Sequence, residues 1–402
     1  MEPSSPNTPT SGTHSEASKS AKQELTPLQQ NALHMVPPDY VPVSFAGNGV
    51  YATVFFCLPR SAIRTPSPSP PSSQTSSSST TPLLSPSCST KPSGPHPNLR
   101  NHLVAIKIPH PSWSPAAQTL TTEIQHHRRI SSTLNAYSSI SPLQSRFLQI
   151  LAYAQSSGPS SSTWFTLPAI YPSLTLSHLY CAFIDWSKPR SRAKLDITRV
   201  PRAWTAHVFL QLGDAVRFLH GAVGIVHGDF HAGNVMVDTT RGTGIGMGTE
   251  RGWPELVVID FGRADSIRVG EGTGIGMAMD ENEAKRRVRQ EVLSLCSILH
   301  EWKSTDVPRK NDESTPEEEW RDALWREFED VVQAINLGEG ELGLDELWSR
   351  FGGVAEAVRN SAGADDMEIV ESMVRKAVEE EVEEVVVDEA LWKALKGADK
   401  TV

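Results

Sequence analysis

Two carboxylates and one carboxamide lie beside two short apolar runs in the middle of the chain. Asp229 and Asn234 are in the loop that leads into the first run, and Asp260 directly follows the second run, 256–259. Each run has the length and the Val and Ile content of a buried strand. A loop between buried strands holds polar groups rigidly but open to a ligand. Such oxygen ligands suit Mg²⁺, and one carboxylate remains as a base.

These residues form two motifs in a fixed order. H-G-D ends at Asp229 and is followed by Asn234, and D-F-G begins at Asp260. The arrangement resembles the protein-kinase-like phosphotransferases, with their H-R-D-x-x-x-x-N loop and D-F-G metal motif. The resemblance implies that Asp229 orients an acceptor hydroxyl and takes its proton, while Asn234 and Asp260 hold Mg²⁺. The plainer alternative is a buried Asp that caps a turn in an unrelated fold, and the motifs upstream disfavour it.

A strand, a glycine turn and a second strand are predicted between Val41 and Cys57. Within this stretch, residues 47–54 resemble the kinase loop G-x-G-x-x-G-x-V, with Ala52 at the third glycine. Small residues let backbone N–H groups approach phosphate oxygens closely. An ordinary β-hairpin is the alternative. The resemblance implies that ATP contacts Gly47, Asn48, Gly49, Ala52, Val54, Ala105 and Lys107.

A lysine lies inside the next apolar run, 103–108, which is predicted to be a strand. An unpaired ammonium buried in such a strand is costly, so Lys107 needs a reason to be there. Val-Ala-Ile-Lys107 resembles the third strand of the kinase family. The resemblance implies that Lys107 holds the α- and β-phosphates and pairs with Glu123 on a helix predicted around 120–130. For Glu123 alone, a solvated helix carboxylate is the alternative.

Length and composition limit the function classes. The 402 residues allow two or three domains, or one two-lobed unit with tails. A net charge of −10 argues against nucleic-acid or membrane partners, and no apolar run approaches the roughly 20 residues of a membrane span. The first residues do not resemble a signal peptide, and the four cysteines form no C-x-x-C pair. We expect an intracellular protein, either cytoplasmic or nuclear.

Composition and resemblance together predict the domain organisation. Residues 1–37 are rich in Ser, Thr and Pro and are predicted to be a disordered tail, as is a Ser/Pro insertion at about 61–100. The resemblance implies an α+β, two-lobed protein-kinase-like fold. Residues 38–171 would form a small antiparallel β-rich lobe with one main helix, and residues 172–402 a larger, mostly helical lobe with an acidic helical C-terminal region.

Two helices are predicted to support the catalytic loop. The apolar spacing of residues 204–220 suits an amphipathic helix beneath the loop. Residues 290–302 resemble the buried central helix of the family's large lobe, with Glu291 holding the catalytic-loop backbone from below. The activation segment would then run from Asp260 to about residue 289.

Three further segments have weaker signals. The hinge between the lobes is placed near residues 169–173 by resemblance. The tandem residues His126 and His127 are predicted to lie at the surface. G-T-G-I-G-M occurs at 242–247 and again at 272–277, in stretches that fit flexible loops. Neither copy continues as a P-loop, so local duplication is the plain explanation.

Departures from the kinase motifs affect which substrate is predicted to accept the phosphoryl group. Gly228 replaces the arginine that reads a phosphorylated activation loop in the family, so we predict no such switch. His231 stands where Ser/Thr kinases place lysine, and no A-P-E follows. This H-G-D-x-H-x-G-N loop resembles the aminoglycoside and choline phosphotransferase branch. The glycine loop, Val-Ala-Ile-Lys and D-F-G favour a protein kinase.

The sequence therefore predicts an ATP- and Mg²⁺-dependent kinase, with a divergent Ser/Thr protein kinase favoured. A small-molecule kinase of the aminoglycoside or choline type is the near alternative. A catalytically weak pseudokinase scaffold is a third possibility. Ala52, Gly228 and the long insertion support it, whereas the presence of Lys107, Asp229, Asn234 and Asp260 disfavours it. The expected partners are ATP and a protein or small hydroxyl-bearing substrate.

Overall fold

The computed structural model describes most of the chain in ordered elements. The described residues are 25–64, 99–137 without 112 and 114, 142–155, 163–187, 200–240, 252–267, 279–303, 315–381 and 391. Their helices are α1 Pro27–His34, α2 Arg60–Arg64, α3 Ala116–Ala136, α4 Leu176–Ser187, α5 Arg202–Arg217, α6 Glu281–Glu301, α7 Pro316–Asn336, α8 Leu344–Asn360 and α9 Ala364–Glu381. Their strands are β1 Tyr40–Asn48, β2 Ala52–Pro59, β3 Val104–Pro109, β4 Ala152–Ala154, β5 Trp164–Pro168, β6 Ile225–Val226, β7 Val235–Asp238, β8 Glu255–Val258 and β9 Asp265–Ser266.

The small lobe is a five-stranded antiparallel sheet in the order β1-β2-β3-β5-β4. Side chains alternate between the faces of a strand, so Val104 and Ile106 of β3 are buried on one face. Ala105 and Lys107 therefore face the other side. Val54 of β2 pairs in register with Lys107 and shares that face. The alternation thus directs the predicted ATP-contacting residues of two strands to one surface.

Helix α1 covers the outer face of this sheet and corrects one prediction. Thr26 and Gln29 form a capping box at its start, and Ala32 is fully buried. The predicted disorder of residues 1–37 is therefore wrong for 25–37. One short helix with a small apolar face is stable here because the sheet covers that face. The rest of that predicted tail lies outside the described residues.

Two other predicted low-complexity or tail regions are described in part. Helix α2 lies at the start of the predicted insertion 61–100, and a 3₁₀ turn at Arg100–His102 lies at its end; the stretch between them is outside the described residues. Helix α9 lies within the predicted acidic helical C-terminal region, whose last part, 382–402 apart from Leu391, is outside the described residues. Beyond the helix, Leu391 is buried against Phe56 and Leu58 of the small lobe.

The large lobe is built around α5. Val208, Leu212 and Val216 of this helix are fully buried, which confirms the predicted apolar face. Helix α6 begins earlier than predicted, because Asp280 caps it by accepting a hydrogen bond from the Glu283 N–H at 2.8 Å. The prediction that the activation segment extends to about residue 289 is therefore wrong. The short pairs β6–β9 and β7–β8 lie at the lobe junction.

The predicted α+β architecture of two lobes is confirmed. The sheet and α3 form the smaller lobe, and the larger part is mostly helical. Among the described helices, none combines the length and the apolar character that a bilayer crossing requires.

Candidate active site

A cleft of about 370 Å³ lies between the sheet and the catalytic loop. The residues predicted for nucleotide, metal and lysine-partner roles come together in its walls. Those among the lining residues are Gly47, Asn48, Gly49, Ala52, Val54, Ala105, Lys107, Glu123, Asn234 and Asp260. Asp229 is the predicted site residue that lies outside this lining, and it borders an adjacent cavity. The geometry is therefore that of one site, and the individual roles stay predictions.

Three charged side chains meet at the inner end of the cleft, and we call Lys107, Glu123 and Asp260 the inner triad. The Lys107 ammonium lies 2.8 Å from Oε1 of Glu123 and 2.7 Å from Oδ1 of Asp260. Glu123 is buried because it lies between Leu120 and Ile124 on the face of α3 that packs inward. The pairing predicted between Lys107 and Glu123 is present. An ion pair in this setting fixes the lysine, since few other groups could solvate its charge.

The pKa values of the two carboxyl groups in the inner triad are shifted in opposite directions. Burial raises the pKa of Glu123 to about 7, against the attraction of Lys107. For Asp260, burial acts upward, but the Lys107 ammonium outweighs it and lowers the pKa of this carboxyl. The two carboxylates raise the pKa of Lys107, although burial opposes this. One ammonium faces two carboxylates, so the more buried of them retains a proton more readily.

Asp260 has an unusual backbone conformation. Its φ of 63° and ψ of 71° place it in the left-handed region, and it is the only described non-glycine residue with positive φ. Aspartate tolerates this region better than most residues, at some cost in conformational energy. Its Oδ1 accepts a hydrogen bond from the Gly262 N–H at 3.4 Å. The strained turn aims the carboxylate toward Lys107.

The catalytic loop is held from below by buried hydrogen bonds. The backbone N–H of His227 donates to Oε2 of Glu291 at 2.7 Å, which is the contact predicted for Glu291. The fully buried His227 ring lies 2.8 Å from the Ile259 carbonyl through Nε2. Its Nδ1 accepts from the Asp229 N–H at 3.3 Å. The ring thereby links the loop that carries Asp229 to the strand that leads to Asp260.

Asn234 and Asp260 supply the ligand types expected for a magnesium site. The Asn234 Nδ2 donates to the Asp229 backbone carbonyl at 2.9 Å, so the side-chain oxygen is the group left for the cleft. One carboxylate and one amide carbonyl suit Mg²⁺, which fills its other positions with phosphate oxygens and water. No cluster of three or more His, Cys, Asp or Glu side chains fit for a metal occurs in the described residues. Two such donors would need phosphate oxygens and water to complete the coordination of Mg²⁺, and the metal role of Asn234 and Asp260 stays a prediction.

The structure explains why glycine stands at position 228. Gly228 has a φ of 76°, which disfavours other residues. A Cβ added there would lie 2.2 Å from the backbone oxygen of Arg263. The backbone after D-F-G therefore passes directly over the catalytic loop, and the arginine of the kinase H-R-D motif has no space here.

A second cavity, of about 460 Å³, adjoins the catalytic loop on the α6 side. Asp229 and His231 line it from the loop, and Arg286, Arg287 and Glu291 line it from α6. Both arginines bind Glu283, and Arg287 also binds Asp265 at 2.9 Å. The buried Oε1 of Glu291 lies 3.5 Å from Nε2 of His220. The arginine charge at the cavity is thus largely balanced locally.

Several residues of the site were not predicted from the sequence. Tyr51 and Arg263 contact each other between the lobes, at 2.9 Å. The prediction that His126 and His127 lie at the surface is wrong, because both are buried. His127 packs on Phe261 of D-F-G with the ring centroids 5.1 Å apart, and burial lowers its pKa to about 3. The weak apolar periodicity of α3 hid this, because histidines occupy its inward positions.

The remaining predictions concern the hinge and the repeats. Ile170 and Ser173 of the predicted hinge segment 169–173 line the cleft, and the hinge role stays a prediction. The two G-T-G-I-G-M repeats lie outside the described residues.

Comparison with known proteins gives a family match over the segment that contains the catalytic loop and D-F-G. The model of the phosphotransferase enzyme family (APH) matches residues 175–267, a segment that includes His227, Asp229, Asn234 and Asp260. That segment is therefore similar to phosphotransferase enzymes. Among solved structures, the BubR1 kinase domain is 13% identical and has a TM-score of 0.44, over 84% of this chain and 85% of that one. The curated proteins contain no match to this chain.

Proposed function

We propose that this protein is a phosphotransferase that uses ATP with Mg²⁺ and transfers the γ-phosphoryl group to a hydroxyl, with Asp229 as the base. The inner triad is the observation that carries the proposal. A lysine held 2.8 Å from Glu123 and 2.7 Å from Asp260 lies at the end of a cleft that the glycine loop covers. A structural ion pair alone would not need the small-residue loop and Asn234 beside it. The phosphotransferase family match supports nucleotide use.

In the proposed step, the acceptor oxygen attacks the γ-phosphorus and forms a new O–P bond. The bond between that phosphorus and the β–γ bridging oxygen breaks, and ADP leaves with that electron pair. The acceptor proton passes to the Asp229 carboxylate and from there to solvent. Lys107 binds the α- and β-phosphates. The protein contributes mainly positioning and charge complementarity, as in phosphoryl transfer generally.

Asn234 and Asp260 would hold Mg²⁺ through the amide and carboxylate oxygens of the cleft. When bound, the ion neutralises charge on the phosphates. The backbone that presents these two residues is fixed independently of any metal, by the His227–Ile259 contact at 2.8 Å and the Asn234–Asp229 bond at 2.9 Å.

For the acceptor, we propose a small hydroxyl compound as the first candidate. The cavity beside Asp229, at about 460 Å³, is within the usual range for small-ligand pockets. Its walls carry polar side chains, among them His231 and Ser294, that can hydrogen-bond a small polar ligand. A Ser or Thr of a protein, which the sequence favoured, is the second candidate. The protein-kinase-like glycine loop and the Lys107–Glu123 pair support it.

A label-transfer assay tests the proposal. The protein is incubated with Mg²⁺ and γ-labelled ATP, alone, with generic basic proteins, and with a panel of polyols, amino alcohols and aminoglycosides. Label on a small compound supports the first candidate, and label on a protein supports the second. Absence of transfer, together with absence of ATP binding, would remove the proposed function.

A variant pair tests the assignment of the acceptor cavity. Ser294 lines the cavity, whereas Ser297 on the same helix is exposed. We expect Ser294→Phe to reduce transfer to the small acceptor at least about tenfold while ATP binding is kept, because the added ring fills the cavity. Ser297→Phe is the matched control and should leave transfer unchanged. Equal transfer by both variants would place the acceptor elsewhere.

A further inference from the structure

We infer that Arg263 is a positioning residue that fastens the glycine loop to the catalytic base; this inference rests on the proposed function. Arg263 directly follows D-F-G. Its Nε donates to the Tyr51 hydroxyl at 2.9 Å, and its Nη1 donates to Oδ1 of Asp229 at 3.4 Å. We call Tyr51, Arg263 and Asp229 the mouth clasp. It joins one residue of the small lobe to two of the large lobe.

Tyr51 is a firmly held end of the clasp. Its ring stacks on Trp113, with centroids 5.4 Å apart and planes 20° apart. Its backbone carbonyl accepts from the His110 N–H at 2.8 Å. A Cβ added at Gly262 would lie 2.9 Å from the Tyr51 ring. The glycine of D-F-G therefore allows the ring to lie against the turn that carries Asp260.

Arg263 reaches Asp229 because the catalytic loop leaves space for it. The backbone oxygen of Arg263 lies where a Cβ at Gly228 would be, 2.2 Å from the ideal position. An arginine at 228, as in H-R-D, would push this backbone away. The guanidinium beside the base therefore comes from the position after D-F-G and not from the catalytic loop. Glycine at 228 is therefore what allows the Arg263 backbone to lie close enough for its guanidinium to reach Asp229.

This geometry gives Arg263 two effects on phosphoryl transfer. The bond to Oδ1 fixes the rotation of the Asp229 carboxylate, which leaves Oδ2 for the proton of the acceptor. The bond to Tyr51 holds the glycine loop over the cleft, where the phosphates bind. Because 52% of the Arg263 side chain is exposed, solvent can replace these bonds and the clasp can open for nucleotide exchange.

Steady-state kinetics test the positioning role. In Arg263→Met we expect kcat to fall about 10- to 100-fold, since hydrogen bonds to charged groups are typically worth that much. Arg263→Lys keeps the positive charge but loses the planar guanidinium with its two donating edges. Relative to Arg263→Met, it should therefore raise kcat about tenfold and leave KM for ATP nearly unchanged. Tyr51→Phe keeps the stacked ring and should raise KM for ATP with a smaller change in kcat.

Arg289→Met is the matched control. Arg289 has a similarly exposed side chain, at 53%, and pairs with Glu341 at 2.8 Å, but it does not line the nucleotide cleft or the acceptor cavity. It should leave kcat and KM within about twofold of wild type. Melting temperatures of all variants establish that they are folded. Wild-type kcat and KM in Arg263→Met would overturn the positioning role.

Hydrogen exchange of the nucleotide-free protein tests the clasp without any turnover. Amides of residues 47–53 should exchange faster in Arg263→Met and Tyr51→Phe than in wild type, and no faster in Arg289→Met. Unchanged exchange in both clasp variants would overturn the clasp. If the wild-type protein forms no ADP, the proposed function and the positioning role fail, and the exchange result alone decides whether the clasp exists.

Discussion

At the inner end of the cleft, the charged side chains are paired closely and two of the three are largely buried, whereas at its mouth they are partly exposed and paired loosely. In the inner triad, Lys107 lies 2.8 Å from Glu123 and 2.7 Å from Asp260. In the mouth clasp, Arg263 lies 3.4 Å from Asp229 and 52% of its side chain is exposed. The difference indicates that the inner triad is a fixed part of the fold, while the mouth clasp adjusts to what is bound.

The largest expected effect separates the two regions by stability. Lys107→Met leaves the buried Glu123 and the partly exposed Asp260 without their cation, and we expect a loss of about 4 kcal/mol in the free energy of unfolding. Arg263→Met removes an exposed pair and should cost at most about 1 kcal/mol. Urea unfolding of both variants measures this difference. Equal losses in the two variants would mean that the inner triad and the mouth clasp do not differ in the way described.

The pH dependence of stability sharpens the account of the inner triad. The pKa of Glu123 is raised by burial to about 7 from the usual 4.5, so the folded chain holds a proton that the unfolded chain releases. The resulting stabilisation is complete below pH 4.5 and is lost as the pH rises through about 7. Relative to Glu123→Gln, wild type should lose about 3 kcal/mol over that range.

Metal-free denaturation curves of wild type and Glu123→Gln at several pH values provide the measurement. Subtracting the Glu123→Gln values removes the other titrating groups, among them Asp260, whose lowered pKa gives the opposite slope. A difference that does not change with pH would contradict the burial effect on Glu123.

A smaller effect is expected at the contact between the catalytic loop and the segment after D-F-G. Gly228→Ala combines a φ of 76° with a Cβ position 2.2 Å from the Arg263 oxygen, and should destabilise the protein by about 2 kcal/mol. Gly47→Ala, with no atom within 4 Å of the added Cβ, is the control and should cost less than about 1 kcal/mol. Thermal unfolding of both compares them. Similar melting temperatures would show that the loop relaxes freely at 228.

Two members of the inner triad were predictable from sequence because each lies in a short motif of fixed spacing, Val-Ala-Ile-Lys107 or D-F-G. Glu123 lies in no such motif, and it was named as the partner of Lys107 only through the resemblance to kinases. The mouth clasp was not predictable, because Tyr51, Asp229 and Arg263 are brought together only by folding. No local pattern marks such contacts between loops.

The same reasoning explains where the predictions of helices and strands failed. Strands with β-branched runs, such as β3 and β8, were found where predicted. Helix α1 was missed because its few apolar residues are stabilised by the sheet that they cover, a tertiary effect that composition does not show. The start of α6 was missed because its first turns are polar, and only the Asp280 cap and the acidic residues Glu281 and Glu283 of the first turn mark it locally.

The most direct test of phosphoryl transfer at this site compares wild type with Asp229→Asn. ATP binding with Mg²⁺ is measured by calorimetry, and ADP formation is measured with an accepted hydroxyl compound. We expect Asp229→Asn to bind ATP about as well as wild type while its turnover falls about 10²- to 10⁴-fold, the usual cost of losing a positioned base. Equal turnover in both proteins, or no ATP binding by wild type, would contradict the account.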